Sequence, residues 1–498
     1  MPKQEVYHIH PLGWEHDPEE ERYRLSAIDY IATCTFNNYG LFFRLDDADK
    51  NKAVEALRHG LARTLSQTRH LCCTIEQDPN GDHSFVRRKA DTVELHVQWL
   101  DAPEDADKYP SLEDLQDSHF TTRALGDLDL WRIPHMKYGQ YNADARPGAL
   151  KAVMALKASF IRGGMLLNIQ MHHYSNDLAG WANFTHQLAD NCHAFLTGTA
   201  YPPWDPDCLD VSRFTKPPVP ENQKIDLPGP LFYDPAVPLP LPGGSQNLLF
   251  HLPKSKAAQL KALAQAGTPI GSRISTYDAF VALLWQILTR LRQPHYPSLP
   301  QDAVPFWAGM LDMRKRLQTP DHPIPQRMQR NLIAAAVSHT PPPTARGSRG
   351  GGGWSLPRLA AHMRAMTEGT GTQAALDEML ELIRVVRDKV AAAPNLHRLA
   401  ALAHIVTDHR PAGTVTGAFF SGAEEGADFG FGKVVAYRQL WGRANVGMVV
   451  IYAPRVEGGE DEGYEVTIGY EKVLAKELLE DEEWGRWFEY RGLDWEDV

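Results

Sequence analysis

The stretch Met165-Leu-Leu-Asn-Ile-Gln-Met-His-His-Tyr-Ser-Asn-Asp-Leu-Ala-Gly180 changes its hydrophobic period halfway along. Leu167, Ile169 and Met171 alternate with Asn168, Gln170 and His172. That period of two specifies a strand with one apolar face. His173 continues the apolar register, so its imidazole is aimed at the interior. Tyr174 to Asp177 turn the chain, and Trp181, Phe184, Leu188, Cys192 and Phe195 then recur at helical spacing. The unit is a strand, a turn carrying His173 and Asp177, and a helix that packs back on the core. Upstream, Lys151 to Ile161 is a second strand, joined to the first through Arg162-Gly163-Gly164 as a β-hairpin.

Outward from this unit, helices and strands alternate. Val54, Leu57, Leu61 and Leu65 mark a helix over Lys52 to Gln67. Ser275, with Asp278 three residues on, is an acidic capping box that starts a helix through Ala279, Leu283 and Ile287. Val446 to Ala453 and Tyr464 to Tyr470 form another strand pair. Between Pro202 and Pro242 lie 12 of the 36 prolines, which makes that stretch an extended connection. The expected division is residues 1–201 as an N-terminal domain, 202–245 as a Pro-rich crossover, and 246–498 as a C-terminal domain. A chain of 498 residues exceeds one core, so two domains suit its length. Gly350-Gly351-Gly352-Gly353, beside a proline run, is a surface loop rather than a phosphate-cradling one, which would follow a strand.

The 51 Lys+Arg and 62 Asp+Glu give a formal charge of −11. An acidic chain is a poor non-specific binder of nucleic acid or anionic membrane. Cys34, Cys72, Cys73, Cys192 and Cys208 are odd in number and irregularly spaced. They indicate buried thiols in a reducing compartment, not a disulfide framework. No apolar run reaches the roughly 20 residues of a membrane span, and the polar N-terminus has no signal-peptide core. A cytoplasmic protein, acting as a monomer, is the expectation.

Three readings of His173 stand on the residues alone. One is a satisfied core histidine. Another is a metal ligand with His172 and Asp177, although the helical spacing of H-E-x-x-H and a supporting Cys or acidic cluster are missing. The third is a general base, since neutral imidazole accepts a proton near physiological pH.

The wider pattern weighs these. From residue 25 to 485 the chain resembles the BAHD acyltransferases, above all the fungal members of the trichothecene O-acetyltransferase type. The resemblance rests on Leu25-Ser-Ala-Ile-Asp29, on Phe160-Ile-Arg-Gly-Gly164 with His172-His-Tyr-Ser-Asn-Asp177, and on Ile274-Ser-Thr-Tyr-Asp-Ala-Phe-Val-Ala-Leu-Leu-Trp285. It rests also on Asp312-Met-Arg-Lys-Arg-Leu317 with Asn331, and on Asp428-Phe-Gly-Phe-Gly-Lys433. The chain departs from the family pattern at Phe431 in place of Trp, at Leu178-Ala179-Gly180 where many relatives have Gly directly after the Asp, and at Val434 in place of Pro.

The resemblance implies an α/β fold of two chloramphenicol-acetyltransferase-like domains, each a mixed β-sheet with flanking helices, joined by a long crossover. It implies a channel between them with the catalytic His173 at its middle, acyl-CoA as co-substrate and no resident cofactor or metal. Asp177 becomes a structural residue paired with an arginine, and Asp428 likewise, with Arg314 as its partner. The CoA contacts it implies are Ser275, Arg314, Arg316, Thr414 and Thr416. Lys254, Arg273, Lys315, Arg327 and Arg330 are further cations of the second half. The implied activity is acyl transfer, with acetyl as the leading group, to a hydroxyl of a small, largely apolar secondary metabolite. N-acyl transfer, condensation from a carrier-bound thioester, and a non-catalytic metabolite-binding relative are the alternatives.

Overall fold

The hairpin forms: Met154–Ile161 pairs antiparallel with Gly164–His172 across a turn where Gly163 takes φ +76°, a left-handed conformation suited to glycine. The structure is a computed structural model that describes residues 2–105, 107–139, 142–227, 240–268, 273–299, 306–338, 355–391, 393 and 399–497. The Gly350–Gly353 run lies outside the described residues.

The hairpin is the centre of a six-stranded mixed sheet in the order Gln4–Ile9, Val93–Trp99, Met154–Ile161, Gly164–His172, Phe36–Arg44, Lys433–Gln439. Its apolar face, including Leu167, Ile169 and Met171, is buried in one core with the helices Lys50–Gln67 and Leu178–Thr197. Burying each such side chain is worth roughly 1.5–3 kcal/mol. The two helices touch at Gly60, where a Cβ would meet the Cys192 sulfur at 2.4 Å.

The polar face of the hairpin is buried as well. Its amides, with Gln98 of the adjoining strand Val93–Trp99, grip the backbone of an irregular segment. Gln98 donates to Leu130 O at 2.8 Å, and Asn168 to Trp131 O at 3.1 Å. Gln170 accepts from Ile133 N–H at 2.7 Å and donates to Met136 O at 2.9 Å. The alternation along Gly164–His172 therefore serves two partners, a hydrophobic core and a loop whose orphan peptide groups need side-chain bonds.

The second sheet has seven strands in the order Ile333–Val337, Trp307–Asp312, His404–His409, Met448–Tyr452, Tyr464–Glu471, Ser245–Leu252, Glu489–Glu496. It mixes parallel pairs around His404–His409 with antiparallel ones. Helices Lys254–Gln265, Thr276–Arg292 and Leu356–Thr370 share its core. Ser275 caps the middle helix by the expected box with Asp278.

One strand of the second half, Lys433–Gln439, completes the first sheet by pairing with Phe36–Arg44. Composition at the crossover carries no sign of this exchange. The Asp428-Phe-Gly-Phe-Gly-Lys433 loop explains how it docks. Phe429 and Phe431 are buried with ring centroids 5.2 and 5.7 Å from Phe43. Gly432 has φ +56°, and a Cβ there would meet Arg44 O at 2.7 Å. Across the same junction, buried Arg438 of the exchanged strand pairs with buried Glu465 of the second sheet. All five cysteines are buried free thiols. Among the described residues no helix is long and apolar enough to cross a membrane.

Candidate active site

The turn after Gly164–His172 sends its two imidazoles to different work. His172 is fully buried, its Nε2 at 2.9 Å from Ala145 O and its Nδ1 accepting from Tyr174 N–H at 3.1 Å. Burial holds its pKa down to about 3. With both ring nitrogens engaged, His172 is a neutral structural group and not a metal ligand.

His173 donates its backbone N–H to Thr35 O at 2.8 Å, and its Nδ1 lies 3.2 Å from Asn176 O. A carbonyl partner puts the proton on Nδ1 and leaves Nε2 as the basic nitrogen. Among the described residues Nε2 has no protein partner. Desolvation lowers the pKa of His173 below the ordinary imidazole value, opposed by the nearby Asp177 charge. The ring lines a cavity of about 140 Å³ between the two halves. His173 is therefore half-buried at a cavity wall with one ring nitrogen unpartnered among the described residues, which is the arrangement a base would need.

A set of buried hydrogen bonds holds the turn in place. Asp177 caps the helix Leu178–Thr197 by accepting from Gly180 N–H at 2.7 Å. Its other oxygen accepts from Arg314 at 3.0 Å and from Leu332 N–H at 2.7 Å. Asp29 accepts from Arg330 at 2.8 Å and from Asn331 at 3.1 Å. The same Asn331 amide donates to His173 O at 3.0 Å and to Tyr174 O at 2.9 Å. Arg330 N–H in turn donates to Asn176 Oδ1 at 2.7 Å. Three short motifs, scattered over 300 positions, thus form one buried network around the turn. Gly180 sits inside it, where a Cβ would lie 2.5 Å from Arg330 O. The glycine displaced from the position after Asp177 is needed three residues later.

Two expected roles are corrected. Arg314 does not pair with Asp428. Its guanidinium is buried and bonds Asp177, Asp312 at 2.9 Å, Met328 O at 2.9 Å and Arg330 O at 2.8 Å. With Gln329 O at 3.4 Å as a fifth acceptor, all five N–H donors are engaged, so it is not a free phosphate ligand either. Asp428 is exposed, facing His193 at 2.9 Å and accepting from Gly430 N–H at 2.8 Å. Its contacts shape its own loop and tie that loop to the helix Leu178–Thr197 at the surface.

A second cavity, of about 730 Å³, shares Ala179, Asp312 and Pro411 as walls with the His173 cavity. Its rim is basic, with Lys315, Arg327 and Arg410. Arg327 pairs with Asp190, and Arg410 with Asp408 at 2.6 Å. Lys315 is exposed and has no carboxylate partner among the described residues. Of the expected CoA contacts, Thr414 lines this cleft with Arg314. Ser275 is occupied by Asp278, Arg316 reaches Thr367 O at 3.3 Å, and Thr416 is buried. None of these three lines either cavity.

On its other walls the His173 cavity is mainly apolar, with Ile31, Met310, Ile333, Ile405, Trp441 and Met448. Tyr138 stands edge-on to Trp441 at 4.9 Å. His409 is a functional candidate that sequence reasoning missed. It lines the cavity with its Nδ1 at 2.9 Å from the Tyr437 hydroxyl. Burial takes its pKa down to about 3, against the pull of Asp408. The period-two run Ile405, Thr407, His409 was the available signal.

Residues 36–192 match the family described as Trichothecene 3-O-acetyltransferase-like N-terminal domain. The chain is 48% identical to Acetyltransferase FGR3 of Gibberella zeae over 99% of this chain and 95% of that protein. In fold it is similar to F. graminearum TRI101, crystallised with coenzyme A and T-2 mycotoxin, with TM-score 0.74 at 16% identity over 95% of this chain and all of that one. It is also similar to vinorine synthase, with TM-score 0.62 at 15% identity over 96% of each chain.

Proposed function

The chain belongs to the BAHD-type acyltransferases, in their fungal trichothecene O-acetyltransferase-like branch, and from that premise we propose that it transfers an acetyl group from acetyl-CoA to a hydroxyl of a small, largely apolar secondary metabolite. The observation that carries this is one basic nitrogen, His173 Nε2, at a mainly apolar cavity that shares Ala179, Asp312 and Pro411 with a basic cleft. Lys315 and Arg327 meet the phosphates of the coenzyme at the rim, and the thioester reaches inward past Ala179 and Pro411.

The acceptor hydroxyl gives its proton to His173 Nε2 as its oxygen attacks the thioester carbonyl. The tetrahedral intermediate collapses with cleavage of the C–S bond. His173 returns the proton to the departing thiolate, so the ester and free CoA leave and the imidazole is again neutral. Both substrates are held together by the cavity, so no acyl-enzyme is required. Asp177, with both oxygens engaged, fixes the turn and moves no proton. The protein works as a cytoplasmic monomer.

Initial-rate kinetics test the scheme, with mass spectrometry identifying the ester. Intersecting double-reciprocal patterns for acetyl-CoA and alcohol are expected. Parallel patterns with a trapped acetyl-enzyme would overturn the direct transfer.

A further inference from the structure

Gln439 ends the strand that the second half lends to the first sheet, directly opposite Tyr39. It is 1% exposed and lines the His173 cavity. Both the oxygen and the nitrogen of its carboxamide are without a hydrogen-bond partner among the described residues. Buried amides are normally paired. Two other polar groups of the cavity are committed elsewhere: His409 Nδ1 to the Tyr437 hydroxyl and Asp177 to Arg314. Gln439 thus brings an unpaired donor and an unpaired acceptor to a cavity whose lining includes the apolar Met310, Ile405, Trp441 and Met448 beside Asn37, Tyr39 and Thr407.

We propose that Gln439 reads the acceptor, and that the acceptor class is alcohols carrying, away from the reacting hydroxyl, an amide-type edge such as a secondary lactam or carboxamide. A primary carboxamide presents C=O and N–H in one plane. Its full complement is an edge with N–H and C=O on the same side, which a cis amide in a ring provides. A lone ether or ketone fills only half of it. Removing the N–H from such a ligand leaves the Gln439 oxygen buried and unmatched, which is the situation in which sites discriminate strongly. The inference rests on the acyl-transfer reading above, since it presumes that the apolar side of the cavity holds the alcohol.

The test uses three alcohols of one ring size: a hydroxymethyl lactam, its N-methyl derivative and the hydroxymethyl cycloalkane. Their affinities are measured by calorimetry on the full-length protein saturated with CoA. The lactam is expected to bind at least about tenfold tighter than either analogue, the equivalent of one good hydrogen bond. In Gln439→Leu, and in Gln439→Met as a variant closer in shape, that advantage falls to about twofold or less. Both substitutions remove unpaired buried polar atoms, so their thermal midpoints match or exceed that of the parent. Equal affinities in the parent, no binding of any alcohol, or a preference that survives both substitutions would overturn the inference. Ester formation is followed in parallel. A lactam preference without any ester supports the subsite and contradicts acyl transfer, while equal esterification of all three alcohols overturns the subsite alone.

Discussion

Asp177→Asn, Arg314→Met and the double variant should separate a structural pair from a catalytic one. The Arg314 guanidinium is 7% exposed and makes four bonds of 3.0 Å or less, to Asp177, Asp312 and the carbonyls of Met328 and Arg330. Removing it leaves Asp177 buried with two backbone N–H partners, Gly180 and Leu332, and orphans two carbonyls. Breaking one side of a buried pair costs about 3–5 kcal/mol. Asp177→Asn leaves the arginine charge uncompensated at its Nη1 except for Asp312, and falls at the lower end of that range. The double variant is expected to be less destabilised than the sum of the two by about 1–2 kcal/mol, because the second change relieves the charge exposed by the first. Urea denaturation is the assay, read as midpoint shifts because two lobes need not unfold as one, with turnover of the folded fraction alongside. An Asp177→Asn variant that keeps the parental midpoint yet loses turnover would refute the reasoning and make Asp177 a relay to His173. Strict additivity would refute the pairing.

Other consequences are open to direct measurement. Since the neutral form of His173 is the active one and its pKa is lowered, kcat/KM should hold its plateau below pH 6.5 and fall only on the acid side; a midpoint above 6.5 would contradict the assignment. The Asp177 charge opposes that lowering, so Asp177→Asn should move the acid limb to still lower pH. Lys315→Ala should raise KM for acetyl-CoA about fivefold at low salt, with the difference shrinking as ionic strength rises; an unchanged KM would remove Lys315 from the phosphate site. Gly180→Ala, with its added Cβ 2.5 Å from Arg330 O, should lose about 1–3 kcal/mol of stability as an overpacked site. Asp428→Asn, at an exposed ion pair, should stay within about 1 kcal/mol of the parent and keep its turnover.

The local elements were legible because their signals are local. The alternation of residues 165–172, the glycine turn at 162–164 and the Ser275–Asp278 box each depend on neighbours within a few positions, and each forms. The pairing of motifs was not legible in the same way. Nothing in Leu25-Ser-Ala-Ile-Asp29 indicates that Asp29 meets Asn331, and nothing near Arg314 distinguishes Asp177 from Asp428 as its partner. Those choices follow from the exchange of Lys433–Gln439 into the first sheet and from how the lobes are clamped. The buried amides of Asn168 and Gln170 illustrate the same limit. Their period marks a polar face, but only the loop at 130–136 decides that this face is covered rather than wet. His409 and Gln439 entered the cavity from strand ends far apart in sequence, so no spacing rule could join them to His173.

The central claim, that His173 Nε2 is the base for both proton transfers, is met most directly by the turnover number of His173→Ala measured with saturating acetyl-CoA and alcohol. Among the described residues the ring's side-chain bond is to Asn176 O, and the backbone of residue 173 stays tied to Thr35 and Asn331. The variant should therefore fold with a near-parental melting midpoint while losing roughly 10²–10⁴ in kcat. A folded variant that retains parental turnover would contradict the account.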